Sequence, residues 1–192
     1  MEGELLVAAQ RGDAGAFDDL VRRHDRVVLG FARRLLRNPA DAQEAAQEVF
    51  LKLFRNLDRL DSTRSLRPWL YRVTVNVCHD FGRKLRRLAD HHSLDAAEAA
   101  GELPRASRTD DPGNRAEARE EARMVLDALA TLGPTERNAL VLRDLEGLST
   151  PEVAEILGSS AGTIRSQICR ARLKIHRYRQ QWLRESQQGR AS

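Results

Sequence analysis

The stretch "LSTPEVAEILGSSAGTIRSQICRARLKIHR", residues 148–177, decides how this chain is read. Ser149 and Glu152 are spaced as an S-x-x-E capping box, with Pro151 in the first helical turn, where its missing N–H costs little. Val153, Ala154, Ile156 and Leu157 give that helix a face to bury. Gly158 is placed to end it in the left-handed conformation that glycine tolerates. Ser159 or Ser160 then stands where a second helix needs a cap. In that second helix Ile164, Ile168, Ala171 and Ile175 recur at intervals of four, three and four, which is one apolar stripe. Thr163, Arg165, Ser166, Gln167, Arg170 and Lys174 therefore point away from it. Two helices joined by a tight glycine turn, the second presenting Arg, Gln, Ser and Thr near its start, predict a DNA-reading helix-turn-helix. An αα-hairpin with a solvated basic face shares this outline and stays open from the stretch alone. A helix built only to fill a core has no use for such a face.

Working outward, the chain has 192 residues, enough for one medium domain or two small ones. Hydrophobic residues make up 41% and charged residues 31%, so modest cores can be buried. Aromatics are 5% and β-branched residues form no alternating run, which predicts an all-α protein. The net charge is +4, but its placement matters more than its sum. Residues 160–192 hold eight Lys/Arg against Glu185 alone, and residues 62–89 hold seven against Asp80 alone. Residues 90–121 reverse the balance, with nine acidic side chains and four basic ones. Two basic surfaces separated by an acidic connector point to two polyanion contacts.

Residues 13–37 keep a helical apolar period through Phe17, Leu20, Val21, Val27, Val28, Phe31, Leu35 and Leu36, and Asn38-Pro39 breaks it. A second helix from Asp41 to about Leu60 places Ala42, Ala45, Ala46, Val49, Phe50, Leu53, Leu57 and Leu60 on one side. Asp41 there favours the helix dipole. After the polar turn "DSTRS" a third helix runs from about Leu66 to Leu88. The three stripes can pack into one helical domain, residues 1–90. Residues 91–114 hold Pro and Gly without an apolar period and predict a flexible acidic linker. Residues 115–192 then form a second domain of four short helices, the last two being the helix-turn-helix.

On the third helix Leu66, Trp69, Leu70, Val73, Val77 and Phe81 form the core stripe. On another side Arg72, Asn76, His79, Arg83 and Arg86 make one polar, basic ribbon. Asn among arginines, with Tyr71 nearby, suits a nucleic-acid backbone and exposed bases, although an ordinary solvated face, with Trp69 and Tyr71 simply part of the core, has the same composition.

No enzyme constellation is present: there is no phosphate-cradling glycine loop, no G-x-S-x-G and no H-E-x-x-H. Cys78 and Cys169 lie far apart and form no C-x-x-C pair, and His91-His92 has no further ligand at metal spacing. No catalytic residue, metal, cofactor or small-molecule substrate is therefore expected. "MEGELLVAAQRGD" lacks the apolar run of a signal peptide, and no segment reaches transmembrane length, which predicts a cytoplasmic location.

Three segments in this order resemble the extracytoplasmic-function (ECF) group of bacterial RNA polymerase sigma factors, over nearly the whole chain. "NPADAQEAAQEVFLKLFRNLDRL" is similar to the family's segment that docks on the coiled coil of the polymerase β′ subunit. "SLRPWLYRVTVNVCHDFGRKLRR" is similar to the segment that melts and reads the minus-ten element. "LRDLEGLSTPEVAEILGSSAGTIRSQICRARLKI" is similar to the domain that reads the minus-thirty-five element. The resemblance implies contact with the core polymerase (β′ and β subunits) near Asp41, Glu44, Gln47, Glu48 and Phe50. It implies that the loop of Ser62, Arg64, Ser65 and Leu66 receives a base flipped from the non-template strand. Arg72, Asn76, His79, Arg83 and Lys84 would hold the separated strand. Upstream, Thr163, Arg165, Ser166, Gln167, Arg170 and Lys174 would meet the major groove, with Arg143 on a phosphate. An anti-sigma factor, often membrane-bound, would cover these surfaces, and the regulon would be an alternative or stress-response one.

The sequence departs from the family at Ala45-Ala46, where bulkier aliphatics are common, at Leu66, where Phe is common, and at Gln167, where a basic residue is frequent. The rival reading is a stand-alone helix-turn-helix regulator that binds DNA without polymerase, usually at two-fold symmetric sites. A helical anti-sigma or adaptor protein, its basic faces on an acidic partner, is more distant.

Overall fold

Short polar side chains start several of the helices. The structure is a computed structural model and describes residues 2–91 and 112–189, with side chains described at 2–84 and 120–185. All regular structure among these residues is helical: α1 Glu2–Gln10, α2 Ala14–Leu35, α3 Pro39–Arg55, α4 Arg67–His91, α5 Pro112–Ala130, α6 Pro134–Leu140, α7 Thr150–Leu157 and α8 Ala161–Gly189. Asp13 caps α2 by accepting from the Ala16 N–H at 3.1 Å, and Asn38 caps α3 by accepting from the Ala40 N–H at 2.8 Å. None of these helices is long and apolar enough to cross a membrane.

The chain divides into two units, Met1–Gly101 and Glu102–Ser192. In the first, α2 packs on α1, α3 and α4, and α3 packs on α4. Leu20, Phe31, Ala32, Ala42, Ala45, Val49 and Leu53 are sealed from solvent at its centre. Ala45 and Ala46, the departures from the family pattern, are both buried there. Leu6 and Ala9 add α1 to this core. In the second unit α6 and α7 pack on α8, and α5 joins them. Its centre is Leu129, Leu132, Ala139, Val141, Leu142, Val153, Ile164 and Ala171.

Several expectations need correction. No helix is expected before residue 13, yet α1 occupies Glu2–Gln10. The second helix ends at Arg55 rather than Leu60. The Asn56 side-chain amide takes the Lys52 carbonyl at 2.7 Å, its backbone N–H turns to Leu53, and a 3-10 turn, Leu57–Arg59, follows. The segment expected as the linker, 91–114, loses both ends to helix, since α4 runs through His91 and α5 begins at Pro112. Its remaining residues, and the side chain of Arg86, lie outside the described residues. The helix of "TERNALVLRDLEG" gives way after Leu140 to a π turn, Val141–Leu145, in which the Glu146 N–H reaches the Val141 carbonyl at 2.9 Å. Nor is α8 short: its 29 residues span about 43 Å at ~1.5 Å per residue.

Candidate nucleic-acid interface

In the C-terminal unit the local signals fold as read. Ser149 and Glu152 form a reciprocal capping box, the Ser149 N–H donating to the Glu152 carboxylate at 2.7 Å. Those bonds to Ser149 hold the Glu152 carboxyl below its ordinary value. Gly158 closes α7 at φ 60°, ψ 42°, a conformation a Cβ would strain. Of the two serines that follow, Ser160 is the cap: its hydroxyl accepts from the Thr163 N–H at 3.1 Å. Ile164, Ile168 and Ala171 are buried and fix the roll of α8. Thr163, Arg165, Ser166, Arg170 and Lys174 are consequently exposed, while Gln167 and Arg143 are half-buried.

Two carboxylates, neither assigned a role from sequence, grip this helix. Glu136, in the first turn of α6 and only 9% exposed, accepts from Lys174 Nζ at 2.7 Å and lies 3.6 Å from Arg170 Nε. The Lys174 hydrogen bond, with the charges of Lys174 and Arg170, holds the Glu136 carboxyl below its ordinary value. Asp144, on the π turn, receives a two-point contact from Arg172, at 2.9 and 2.7 Å. Such fork-to-carboxylate pairs fix orientation as well as energy. Arg170 and Lys174, expected as open DNA contacts, thus have an internal partner, whereas Arg165 is exposed with no ion-pair partner among the described residues. Arg137 serves the scaffold, its guanidinium donating to the carbonyls of Leu129, Ala130 and Leu132 at the end of α5.

In the N-terminal unit Arg72, Asn76, His79 and Arg83 are all exposed along α4, as the ribbon required. Arg83 pairs with Asp80 one turn back. On this surface one open reading is decided and one expectation changes. Tyr71 is 1% exposed, its ring edge-on to Phe31 at 5.1 Å and its hydroxyl accepting from Arg67 at 2.9 Å, so it is core and offers no face to a base. Leu66, expected with the base-receiving loop, is 2% exposed, so its side chain belongs to the core. The solvent-facing part of that loop is Thr63, Arg64 and Ser65, with Ser62 half-buried. Its shape is internal: Asp61 accepts from the Thr63 N–H at 2.9 Å and hydroxyl at 2.6 Å, bonds that lower the Asp61 carboxyl below its ordinary value. Arg64 closes on the same carboxylate at 3.4 Å.

On α3, Glu44 and Gln47 are exposed, and Asp41, Glu48 and Phe50 half-buried. Glu44, Gln47, Glu48 and Leu51 line a shallow groove with Asp80, Phe81 and Lys84 of α4. Lys84, expected with the DNA residues, therefore sits beside the acidic side chains expected at the polymerase. Leu51 and Phe54, 49% and 60% exposed, complete an apolar strip on α3 that was not singled out from sequence. The signal was available, since five of the six residues 49–54 are apolar and one helix face cannot hold them all.

Known proteins share both units. The family pattern for Sigma-70 region 2 matches residues 20–88, and that for Sigma-70, region 4, matches residues 122–175. RNA polymerase sigma-H factor of Pseudomonas aeruginosa is 32% identical over 185 residues, 95% of this chain and 96% of that protein. ECF RNA polymerase sigma-E factor of Escherichia coli is 33% identical over 176 residues, 89% of this chain and 90% of its own length. The solved structure of CnrH in complex with the cytosolic domain of CnrY matches with a TM-score of 0.64 at 28% identity, over 91% of this chain and 94% of that one. Sigma factor RpoE of Bartonella quintana, solved with the anti-sigma factor NepR, shares the fold at a TM-score of 0.70 and 22% identity, over 85% and 96% of the two chains. Two helical units in the family's order, each covered by its own pattern and joined in near full-length relatives, leave one conclusion: the chain belongs to the ECF sigma factors, non-enzymatic proteins that bind bacterial core RNA polymerase and direct promoter-specific transcription initiation.

Proposed function

We propose that the N-terminal unit docks on core polymerase through the exposed side of α3 and holds melted promoter DNA on α4, while α8 reads the upstream element as duplex. The observation that carries this reading is the pair of exposed basic faces, one per unit, on helices whose other side is buried at Leu70 and Val77 of α4 and at Ile164, Ile168 and Ala171 of α8. Asp41, Glu44, Gln47 and Glu48, with Leu51 and Phe54, offer an acidic rim around apolar contacts, a composition suited to a protein partner. Arg72, Asn76, His79 and Arg83 track the separated strand, and Ser62, Thr63, Arg64 and Ser65 form the rim of the base-receiving loop. Flipping a base costs a few kcal/mol, which such pocket and backbone contacts offset. Upstream, Arg165 and Arg170 with Thr163, Ser166 and Gln167 meet base edges, and Arg143 meets a phosphate. The chain performs no chemistry; the polymerase makes the RNA. An anti-sigma factor that occludes these faces is the proposed regulatory partner, the working site is the cytoplasm or a membrane-held complex, and the regulon is an alternative or stress-response one.

The test is to mix the full chain with sigma-free core polymerase and a pool of promoter fragments and to sequence the run-off transcripts. Specific transcripts are expected, falling about 100-fold or more in an Arg165→Ala/Arg170→Ala variant, since each lost base contact costs ~1–3 kcal/mol. Sequence-specific DNA binding with no co-elution with core and no transcripts would establish the stand-alone regulator instead.

A further inference from the structure

The helix that sequence analysis did not assign, α1, makes its polar contacts in an unusual place. The Gln10 side-chain amide donates to the backbone carbonyls of Leu57 at 2.8 Å and Leu60 at 2.9 Å, just before the base-receiving loop. The Glu2 carboxylate accepts from the Leu66 N–H at 3.3 Å, at the loop's far end. The same Glu2 oxygen meets His24 Nε2 of α2 at 3.0 Å, and a carboxylate only accepts, so the proton of that ring lies on Nε2. His24 is buried and thereby orients Glu2. Between the two ends, Gly3 lies so close to the loop that a Cβ there would stand 2.3 Å from the Ser62 carbonyl oxygen. No side chain fits that gap, and what would have to move is loop backbone.

We infer that α1 is a strap that sets the conformation of loop 61–66, with Glu2 and Gly3 as positioning residues for discrimination of the downstream promoter base. This rests on the proposed role of the loop. The loop's exposed tip, Thr63 to Ser65, is held within itself by the Asp61 turn, and α1 ties the chain on either side of it through main-chain atoms, the Leu57 and Leu60 carbonyls before it and the Leu66 N–H after it. Thr63 and Arg64 both meet Asp61, and Ser65 Oγ accepts from the Arg67 N–H, so the tip is a preset unit whose position is dictated from outside. A displacement of Ser62 by even part of an ångström changes the aperture offered to a flipped base. It leaves α3, α4 and the C-terminal unit where they are.

The test uses the full chain assembled with core polymerase. Single-stranded non-template oligonucleotides carrying each of the four bases at every position of the downstream element are titrated against wild type, Gly3→Ala, Glu2→Ala, Glu2→Gln and the loop variants Ser62→Ala and Thr63→Ala. The expected result is a several-fold loss of base discrimination at one position in Gly3→Ala and Glu2→Ala. Glu2→Gln, whose amide oxygen still accepts from Leu66, recovers most of it. Affinity for core and for duplex upstream DNA stays unchanged, and so does the melting temperature to within a few degrees. If the loop variants shift discrimination and Gly3→Ala and Glu2→Ala do not, the strap is overturned while the loop reading stands. If the loop variants have no effect, the loop reading fails and takes the strap with it. A uniform loss of core binding, DNA affinity and stability would make α1 a core element only, and that too overturns the proposal.

Discussion

The two basic helices, α4 and α8, look alike in sequence, yet Arg83 of α4 is paired differently from Arg170, Arg172 and Lys174 of α8. On α8 the carboxylates that meet its cations come from other elements, Glu136 from α6 and Asp144 from the π turn. On α4 the partner of Arg83 is Asp80 on the same helix, one turn away. Pairs within an exposed helix turn contribute a few tenths of a kcal/mol and fix nothing beyond local rotamers. Pairs between elements hold a helix against its scaffold. The difference suits the two proposed roles: duplex DNA is rigid, and a reader of it gains from a preset register, whereas a single strand adapts to its groove. The inter-element pairing also subtracts charge from α8, which restrains binding to any duplex regardless of sequence.

The comparison breaks most visibly through Gln167. A Gln pairs bidentately with adenine and an Arg with guanine, each good pair carrying ~1–3 kcal/mol of discrimination. Gln167→Arg is therefore expected to shift the upstream preference toward guanine at one position by about tenfold or more, read by selection from a randomised upstream element. Unchanged preference would mean that the half-buried Gln167 does not reach the groove.

Glu136 sharpens the comparison next. Removing its charge frees Lys174 and Arg170 for phosphates, so Glu136→Gln should raise affinity for non-cognate duplex several-fold. The slope of log affinity against log salt should steepen by about 1, and the ratio of cognate to non-cognate affinity should fall. An unaltered slope in salt titrations would show that Glu136 does not restrain these cations. The intrahelical counterpart, Asp80→Asn, is expected to change stability by no more than ~0.5 kcal/mol, measured by urea unfolding. A change above 1 kcal/mol would erase the distinction drawn between the helices.

The smallest effect concerns the strap on the α4 side. Burial pushes the His24 imidazole below its ordinary value of 6.5; Glu2 opposes this, and the charges of Arg23 and Arg67 reinforce it. The folded protein then binds this proton less readily than the unfolded chain does. The stability it contributes is complete above about pH 6.5 and declines as pH falls below that value. Melting temperature should drop between pH 7 and 5.5, and His24→Gln should flatten the slope. A slope identical in the variant would remove His24 from the account.

What could be read from sequence was local. The capping box, the Gly158 stop and the stripe of Ile164, Ile168 and Ala171 each depend on residues within four or five positions, and each folded as read. The exposed faces of α4 and α8 follow from the same periodicity. What could not be read depends on partners far along the chain. α1 is nine residues long and too short to declare itself; it is held by Leu57, Leu60, Leu66 and His24, roughly 20 to 65 positions away. Tyr71 stays open in sequence between a nucleic-acid face and the core, because the residues that decide it are Phe31 of α2, forty positions earlier, and Arg67, which together claim it for the core. Nothing in the local sequence marks Glu136; only the fold brings Lys174 of α8 to it.

The most direct test of the account compares two variants on two templates. Holoenzyme carrying Arg72→Ala/Asn76→Ala/Arg83→Ala on α4, or Arg165→Ala/Arg170→Ala on α8, is assayed for run-off transcription from a fully duplex promoter and from the same promoter with its downstream element pre-melted. If α4 serves the melted strand and α8 the upstream duplex, the α4 variant recovers several-fold on the pre-melted template and the α8 variant stays defective on both. Equal recovery of the two variants, or recovery of the α8 variant alone, would contradict the assignment of the two basic helices.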